Sequence, residues 1–153
     1  MQLTHAAWDD PDVQRLAAAQ QVELRARYGG AQEPGTPPSG ADVAVVLVAR
    51  DASGAAVGCG ALRPLGDDVA EIKRLYVVPA ARRRGVSKLV LAGLEAAARD
   101  RGWTTLRLET GRRQPEAVAL YEGVGYRLIP AFGAYVGADD ADSLYYERVL
   151  GRA

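Results

Sequence analysis

The residue types and spacing most suited to chemistry lie in one stretch of the 153-residue chain, Leu75-Tyr76-Val77-Val78-Pro79-Ala80-Ala81-Arg82-Arg83-Arg84-Gly85-Val86-Ser87-Lys88. It reads as a strand, a basic turn and a helix start. Unpaired N–H groups at a helix start converge on one point, and the helix dipole favours an anion there. Gly85 lets backbone approach a ligand closely, and Arg82, Arg83 and Arg84 ring the spot with charge. The expectation is a phosphate cradle; a solvated basic turn is the other reading of the same residues. No Gly-Lys-Ser/Thr follows a glycine-rich stretch, which excludes a Walker-A loop, and the glycine spacing of a dinucleotide fingerprint is absent. Cys59, flanked by Gly58 and Gly60, reads as a buried structural thiol rather than a nucleophile. With one cysteine and one histidine, His5, the chain has no internal disulfide, no cysteine-based zinc site and no His–His metal pair.

The elements that would position this stretch follow from periodicity and turn signals. Asp10-Pro11 opens a helix whose inward spacing is Val13, Leu16, Ala17, Gln20 and Leu24, stopped by Gly29-Gly30. Gly29 to Asp42 is a long Pro/Gly-rich loop, a candidate functional segment. Val43–Arg50, Ala55–Arg63 and Val69–Val78, separated by short turns, predict an antiparallel meander after a short strand near Leu3–Ala7. Gly85–Arg101 predicts a helix with Val86, Leu89, Val90, Leu94 and Ala97 inward. Trp103–Glu109, a short helix over Gln114–Gly123, and strands at Tyr126–Ile129 and Leu144–Leu150 complete a mixed α/β sheet with helices on its faces. One domain over 1–153 is expected.

Composition narrows the classes. The chain is 48% hydrophobic and 25% charged, with net charge zero, which excludes a disordered or collagen-like protein. Zero net charge argues against bulk attraction to nucleic acid. Yet from Val69 to Leu94 six basic residues face Glu71 alone, a balance suited to a compact polyanion. The longest apolar run, Val43–Ala49, is far below the ~20 residues of a membrane span. The first thirty residues hold Asp9, Asp10 and Asp12 and no apolar core of signal-peptide length, so a cytoplasmic protein is expected.

Arg82-Arg83-Arg84-Gly85-Val86-Ser87 resembles the acetyl-CoA-binding motif of the GCN5-related N-acetyltransferase superfamily, Gln/Arg-x-x-Gly-x-Gly/Ala. It matches at Arg82 and Gly85 and departs at Ser87. Leu75-Tyr76-Val77-x-Pro79 precedes it, Leu106-Arg107-Leu108-Glu109-Thr110 follows on the next strand, and Ala117 to Tyr126 resembles a later motif in which a short helix ends in a tyrosine followed by a Gly-aromatic pair. The resemblance runs in order from about Val43 to Leu150. It implies that family's acyl-CoA N-acyltransferase fold and acetyl transfer from acetyl-CoA to a primary amine of a small molecule or peptide by direct attack, with no metal. It implies a bulge before the motif, backbone of Leu75, Tyr76 and Val77 along the pantetheine and thioester, and Arg82 to Lys88 at the pyrophosphate. Gln114 stands where many relatives have Asn near the cofactor. Tyr121 matches the usual general acid, being a phenol still protonated at neutral pH. Glu71 matches the strand position of a base, with Glu109 the other candidate; an ion pair near Lys73 or Arg74 is the alternative for Glu71. An acceptor pocket is expected from Gly29–Asp42, the first helix and Pro130–Asp142, which carries Phe132, Tyr135, Asp139, Asp140 and Asp142. No nucleic-acid or membrane partner is expected, and the protein would be a monomer or homodimer. Another acyl-CoA donor, or an acyl-CoA-sensing domain, would use the same residues.

Overall fold

The computed structural model describes residues 1–138 and 140–151. In chain order the elements are β1 (Gln2–His5), α1 (Pro11–Arg27), β2 (Val45–Arg50), β3 (Ala56–Pro64), β4 (Val69–Val77), α2 (Val86–Asp100), β5 (Thr105–Gly111), α3 (Pro115–Gly123), β6 (Arg127–Ile129) and β7 (Ser143–Val149), with short 3-10 turns at Pro79–Ala81 and Gly133–Tyr135. The capping signals act as their chemistry dictates. The Asp10 carboxylate accepts the Asp12 N–H at 2.8 Å, and Pro11 opens the first turn of α1.

Strands β2 and β3 are buried on both faces, so successive residues feed opposite cores. Val46, Val48, Cys59 and Ala61 pack with Val13 and Leu16 of α1. Val45, Leu47 and Leu62 join Val86, Val90, Leu91, Leu94 and Ala98 of α2 in a larger core that Tyr121 of α3 also enters. Leu89, expected inward, is exposed. The stripe Val86–Val90–Leu94–Ala98 runs at i, i+4 spacing with Leu91 beside it, and this rotates Leu89 off the sheet.

The sheet order is β1-β2-β3-β4-β5-β7-β6. Neighbours are antiparallel except β4 and β5, which pair in parallel only over Val69–Glu71 and Thr105–Arg107. Beyond Glu71 they part. On the other edge of β4 the register to β3 jumps between Cys59↔Tyr76 and Ala61↔Lys73, so Arg74 and Leu75 together oppose Gly60. This is a β-bulge, and Arg74 takes a left-handed φ of 57° within it. Its carbonyl accepts from Cys59 Sγ at 3.2 Å. The bulge bends β4 away from β5 and opens the molecule's main cleft.

Candidate active site

The parting of β4 and β5 exposes backbone that a regular sheet would consume. Val78 N–H donates to Val57 O at 2.9 Å. The alternation of an antiparallel ladder therefore turns the polar groups of Val77, and of Leu75 beyond it, away from β3 into the gap. Side chains from elsewhere take the carbonyls: Gln20 Nε2 donates to Leu75 O at 2.8 Å, and Arg82 Nε to Val77 O at 2.9 Å.

A cleft of about 710 Å³ runs from here to the start of α2. Leu75, Tyr76, Val77, Arg82, Arg83, Gly85, Val86, Ser87 and Lys88 line one side, and Gln114, Ala117, Leu120 and Tyr121 the other. Gly85 is the N-cap of α2 at φ 78°, and no atom lies within 4 Å of where its Cβ would stand. Left-handed backbone and open space make this an accessible helix N-terminus. Arg82 is committed to the scaffold: besides Val77 O it reaches Glu23 Oε2 at 2.7 Å and lies over the Tyr76 ring at 5.6 Å. Arg83 and Lys88 line the cleft and make no salt bridge among the described residues. Arg84 is exposed and does not line it.

A smaller cavity of about 180 Å³ adjoins the cleft. Its wall combines Gln20, Gln21 and Tyr28 of α1 and its end, residues 31–34, Lys73 and Arg74 of β4, Glu109 of β5, and Asp140, Asp142 and Ser143. Leu75, Gln114 and Tyr121 belong to both walls. Tyr121 thus stands at the junction, together with Gln20, Leu24 and Ala117, which also line both. It is 7% exposed, and burial, then the Glu109 charge, raise its phenol well above the ordinary range. It packs against the Tyr126 and Tyr146 rings at 5.7 and 6.4 Å. Gln114 lies at the start of α3, where its Nε2 donates to the Tyr28 hydroxyl at 3.4 Å.

The two carboxylates considered as bases differ sharply. Burial pushes the Glu109 carboxyl up to about 7, against the Ser143 hydroxyl, which donates to it at 2.9 Å, and the charge of Lys73. Glu71 is 1% exposed and lines neither cavity. Its carboxylate accepts from Arg63 Nε at 2.8 Å and from the Tyr135 hydroxyl at 2.5 Å. The ion-pair partner is thus the residue directly opposite on β3, not Lys73 or Arg74. Phe132 and Tyr135, expected in the acceptor pocket, are core residues behind its wall. Asp140 and Asp142 do line it, whereas Asp139 lies outside the described residues.

Sequence reasoning missed Gln20, Gln21, Glu23, Tyr28 and Glu33. Gln20 carried a signal, since it occupies an inward position of the α1 stripe where an apolar residue would be usual. Among the described residues no cluster of His, Cys, Asp and Glu is placed to hold a metal ion. Among the described residues no helix is long and apolar enough to cross a membrane.

Comparison with known proteins places this geometry in context. A family model described as Acetyltransferase (GNAT) family matches residues 5–126. An "IAA acetyltransferase" of Azospirillum brasilense is 39% identical over 105 residues, 68% of this chain and 67% of that protein. YsnE, an uncharacterized N-acetyltransferase of Bacillus subtilis, is 35% identical over 95 residues, 61% and 62% of the two chains. The chain matches about half to two thirds of the length of these and the other curated relatives. A crystal structure from Klebsiella pneumoniae, described as an acyl-CoA N-acyltransferase, is 35% identical and superposes with a TM-score of 0.84 over 98% of this chain and 97% of that one. A GNAT family acetyltransferase of Elizabethkingia anophelis with acetyl-CoA bound shares the fold, at 16% identity and a TM-score of 0.71 over 97% of each chain.

Proposed function

The chain belongs to the acetyltransferase (GNAT) family, whose curated and structural relatives are named N-acetyltransferases, and we propose that it moves the acetyl group of acetyl-CoA to a primary amine by direct attack in a ternary complex. The observation that carries this reading is the position of Tyr121 in the wall common to the basic-rimmed cleft and the small acid-lined cavity. One compartment has the length and charge for a CoA arm, and the other has room for a small acceptor.

The residues present fit that co-substrate. Arg83, Lys88 and the open N–H groups at the start of α2 answer its phosphates, while the backbone of Leu75 and Val77 along the cleft suits the pantetheine amides and the thioester. Acetyl-CoA supplies an activated acyl group. Glu109 takes the proton of the incoming ammonium, directly or through water, since a carboxyl near 7 is half ionised at neutral pH. As the C–N bond forms and the C–S bond breaks, Tyr121 gives its proton to the departing sulfur and is reprotonated by the second proton of the amine nitrogen, which leaves a neutral amide, while the proton held by Glu109 passes to solvent. Gln114 stands at the same junction as a positioning residue. Glu71 matches the position of a base by resemblance, but Arg63 and Tyr135 already engage its carboxylate, and the base in this proposal is Glu109. A cytoplasmic setting belongs to the reading, supported by a lone thiol that is buried.

Titration calorimetry with acetyl-CoA, alongside CoA, succinyl-CoA and a short DNA duplex, tests the proposal. Saturable one-to-one binding of acetyl-CoA, followed by amine-dependent thiol release, is expected. Folded protein that binds no acetyl-CoA overturns it; preference for succinyl-CoA changes the donor and leaves the chemistry.

A further inference from the structure

Glu33, on the long connection between α1 and β2, meets two cations in the wall of the smaller cavity. Lys73 Nζ donates to its Oε1 at 3.1 Å, Arg74 Nη2 donates to Oε2 at 3.1 Å, and Arg74 Nη1 donates to Oε1. Lys73 is 7% exposed and the Arg74 side chain 11%. Burial works against the Glu33 charge, but the hydrogen bonds and charges of Arg74 and Lys73 outweigh it and hold the carboxyl below its ordinary range.

Three features set this cluster apart from a surface ion pair. Two cations share one carboxylate, and Lys73 also reaches the Tyr135 hydroxyl. Arg74 occupies a left-handed φ of 57° that glycine would adopt without steric cost, so the position keeps a strained backbone together with a guanidinium. In the same wall Gln21 Nε2 is buried with no hydrogen-bond partner among the described residues, a donor without an acceptor. Both cations and this amide line the one cavity that also holds Glu109. Lys73 is near enough to Glu109 for its charge to act on that carboxyl.

We infer that Lys73 and Arg74 form an oxyanion seat for the acceptor, which is a short amino acid whose carboxylate takes the place of Glu33 while its amine turns to Glu109 and Tyr121. A planar carboxylate meets the Arg74 fork in two parallel hydrogen bonds, as Glu33 does now. Asp140 and Asp142 lie in the same wall and favour the cationic end of such a zwitterion. At about 180 Å³ the cavity is smaller than pockets for drug-sized ligands, in keeping with an amino acid rather than a protein tail. Glu33 holds the seat in the free protein and keeps both cations paired.

This inference rests on the N-acetyltransferase reading, and the experiment separates the two. Thiol release at saturating acetyl-CoA is measured for a set of L-amino acids, each beside its carboxamide, and for putrescine and spermidine. The free acid is expected to exceed its carboxamide by about tenfold or more in kcat/KM, mainly through KM. Arg74→Gly suits the left-handed backbone at that position and should bring that ratio towards one. Glu33→Gln should lower KM for the acids by removing the competing carboxylate. Carboxamides or polyamines preferred over acids, or a ratio unchanged in folded Arg74→Gly, overturns the seat and leaves the transferase standing. No thiol release with any amine overturns both.

Discussion

The Tyr135 hydroxyl donates to Glu71 Oε2 at 2.5 Å, joining the turn after β6 to the middle of β4. Arg63 Nε holds the other oxygen at 2.8 Å, and the carboxylate is sealed from solvent. Lys73 Nζ also donates to that hydroxyl at 3.2 Å, so one tyrosine bridges the Glu71 pair and the cavity wall.

Glu71→Ala takes from the Arg63 guanidinium, whose side chain is 8% exposed, its buried carboxylate, leaving it Thr36 O and Asp42, and takes from the Tyr135 hydroxyl its acceptor. Breaking a buried ion pair from one side costs about 3–5 kcal/mol. A fall of that order in unfolding free energy from urea titration is expected, with kcat of the folded fraction within about threefold. A large loss of kcat at unchanged stability would return the role of base to Glu71.

Tyr121→Phe removes only a hydroxyl from a packed ring. It should lower kcat by about 10²–10⁴-fold, the range for a lost general acid, and leave acetyl-CoA affinity within about threefold. Single-turnover kinetics beside calorimetry read the two effects separately. An unchanged kcat removes Tyr121 as the acid.

Glu109 predicts two pH dependences. As the base it must be ionised, so kcat/KM should rise with pH along a slope-one limb centred near 7, and Glu109→Gln should abolish that limb. Stability moves the other way. The folded carboxyl at about 7 lies above its ordinary 4.5, so the folded state binds the extra proton and stability falls as pH rises between those values. Unfolding free energy compared at pH 5 and 8 should show Glu109→Gln escaping that decline, which amounts to about 3 kcal/mol at most.

Gly85→Glu puts a carboxylate at the start of α2, where the open N–H groups lie. Acetyl-CoA affinity should fall by about a hundredfold or more, since the introduced charge opposes both the phosphates and their access. A folded variant with normal affinity would sever the cradle from the cofactor. Circular dichroism checks the fold independently, because φ 78° strains any residue but glycine.

How much of this was legible depends on the range of each signal. Pro79, Gly85 and the apolar stripe that follows are local, and the strand–turn–helix of the cradle emerged from them. Tyr121 stood out only through the family resemblance, because a lone aromatic on a short helix reads by itself as a core ring. Glu71 shows the limit. The turn at Leu65–Asp68 sets a hairpin register that places Arg63 opposite it, yet Tyr135 arrives from far along the chain, and only folding reveals both partners. Glu33 was less visible still, because its loop has no periodicity and one of its two cations, Arg74, sits in a bulge whose register cannot be read from alternation.

The parallel seam between β4 and β5 is three residue pairs long. It works as a crease between two stiff leaves, one carrying Leu75 and Val77, the other Glu109. A crease so short resists twisting weakly, and whatever lies along the gap becomes the splint that fixes the angle between the leaves. Under the proposed function, acetyl-CoA lying between β4 and α3 would be that splint, and the expected kinetic order is donor first, with the acceptor meeting a site already set.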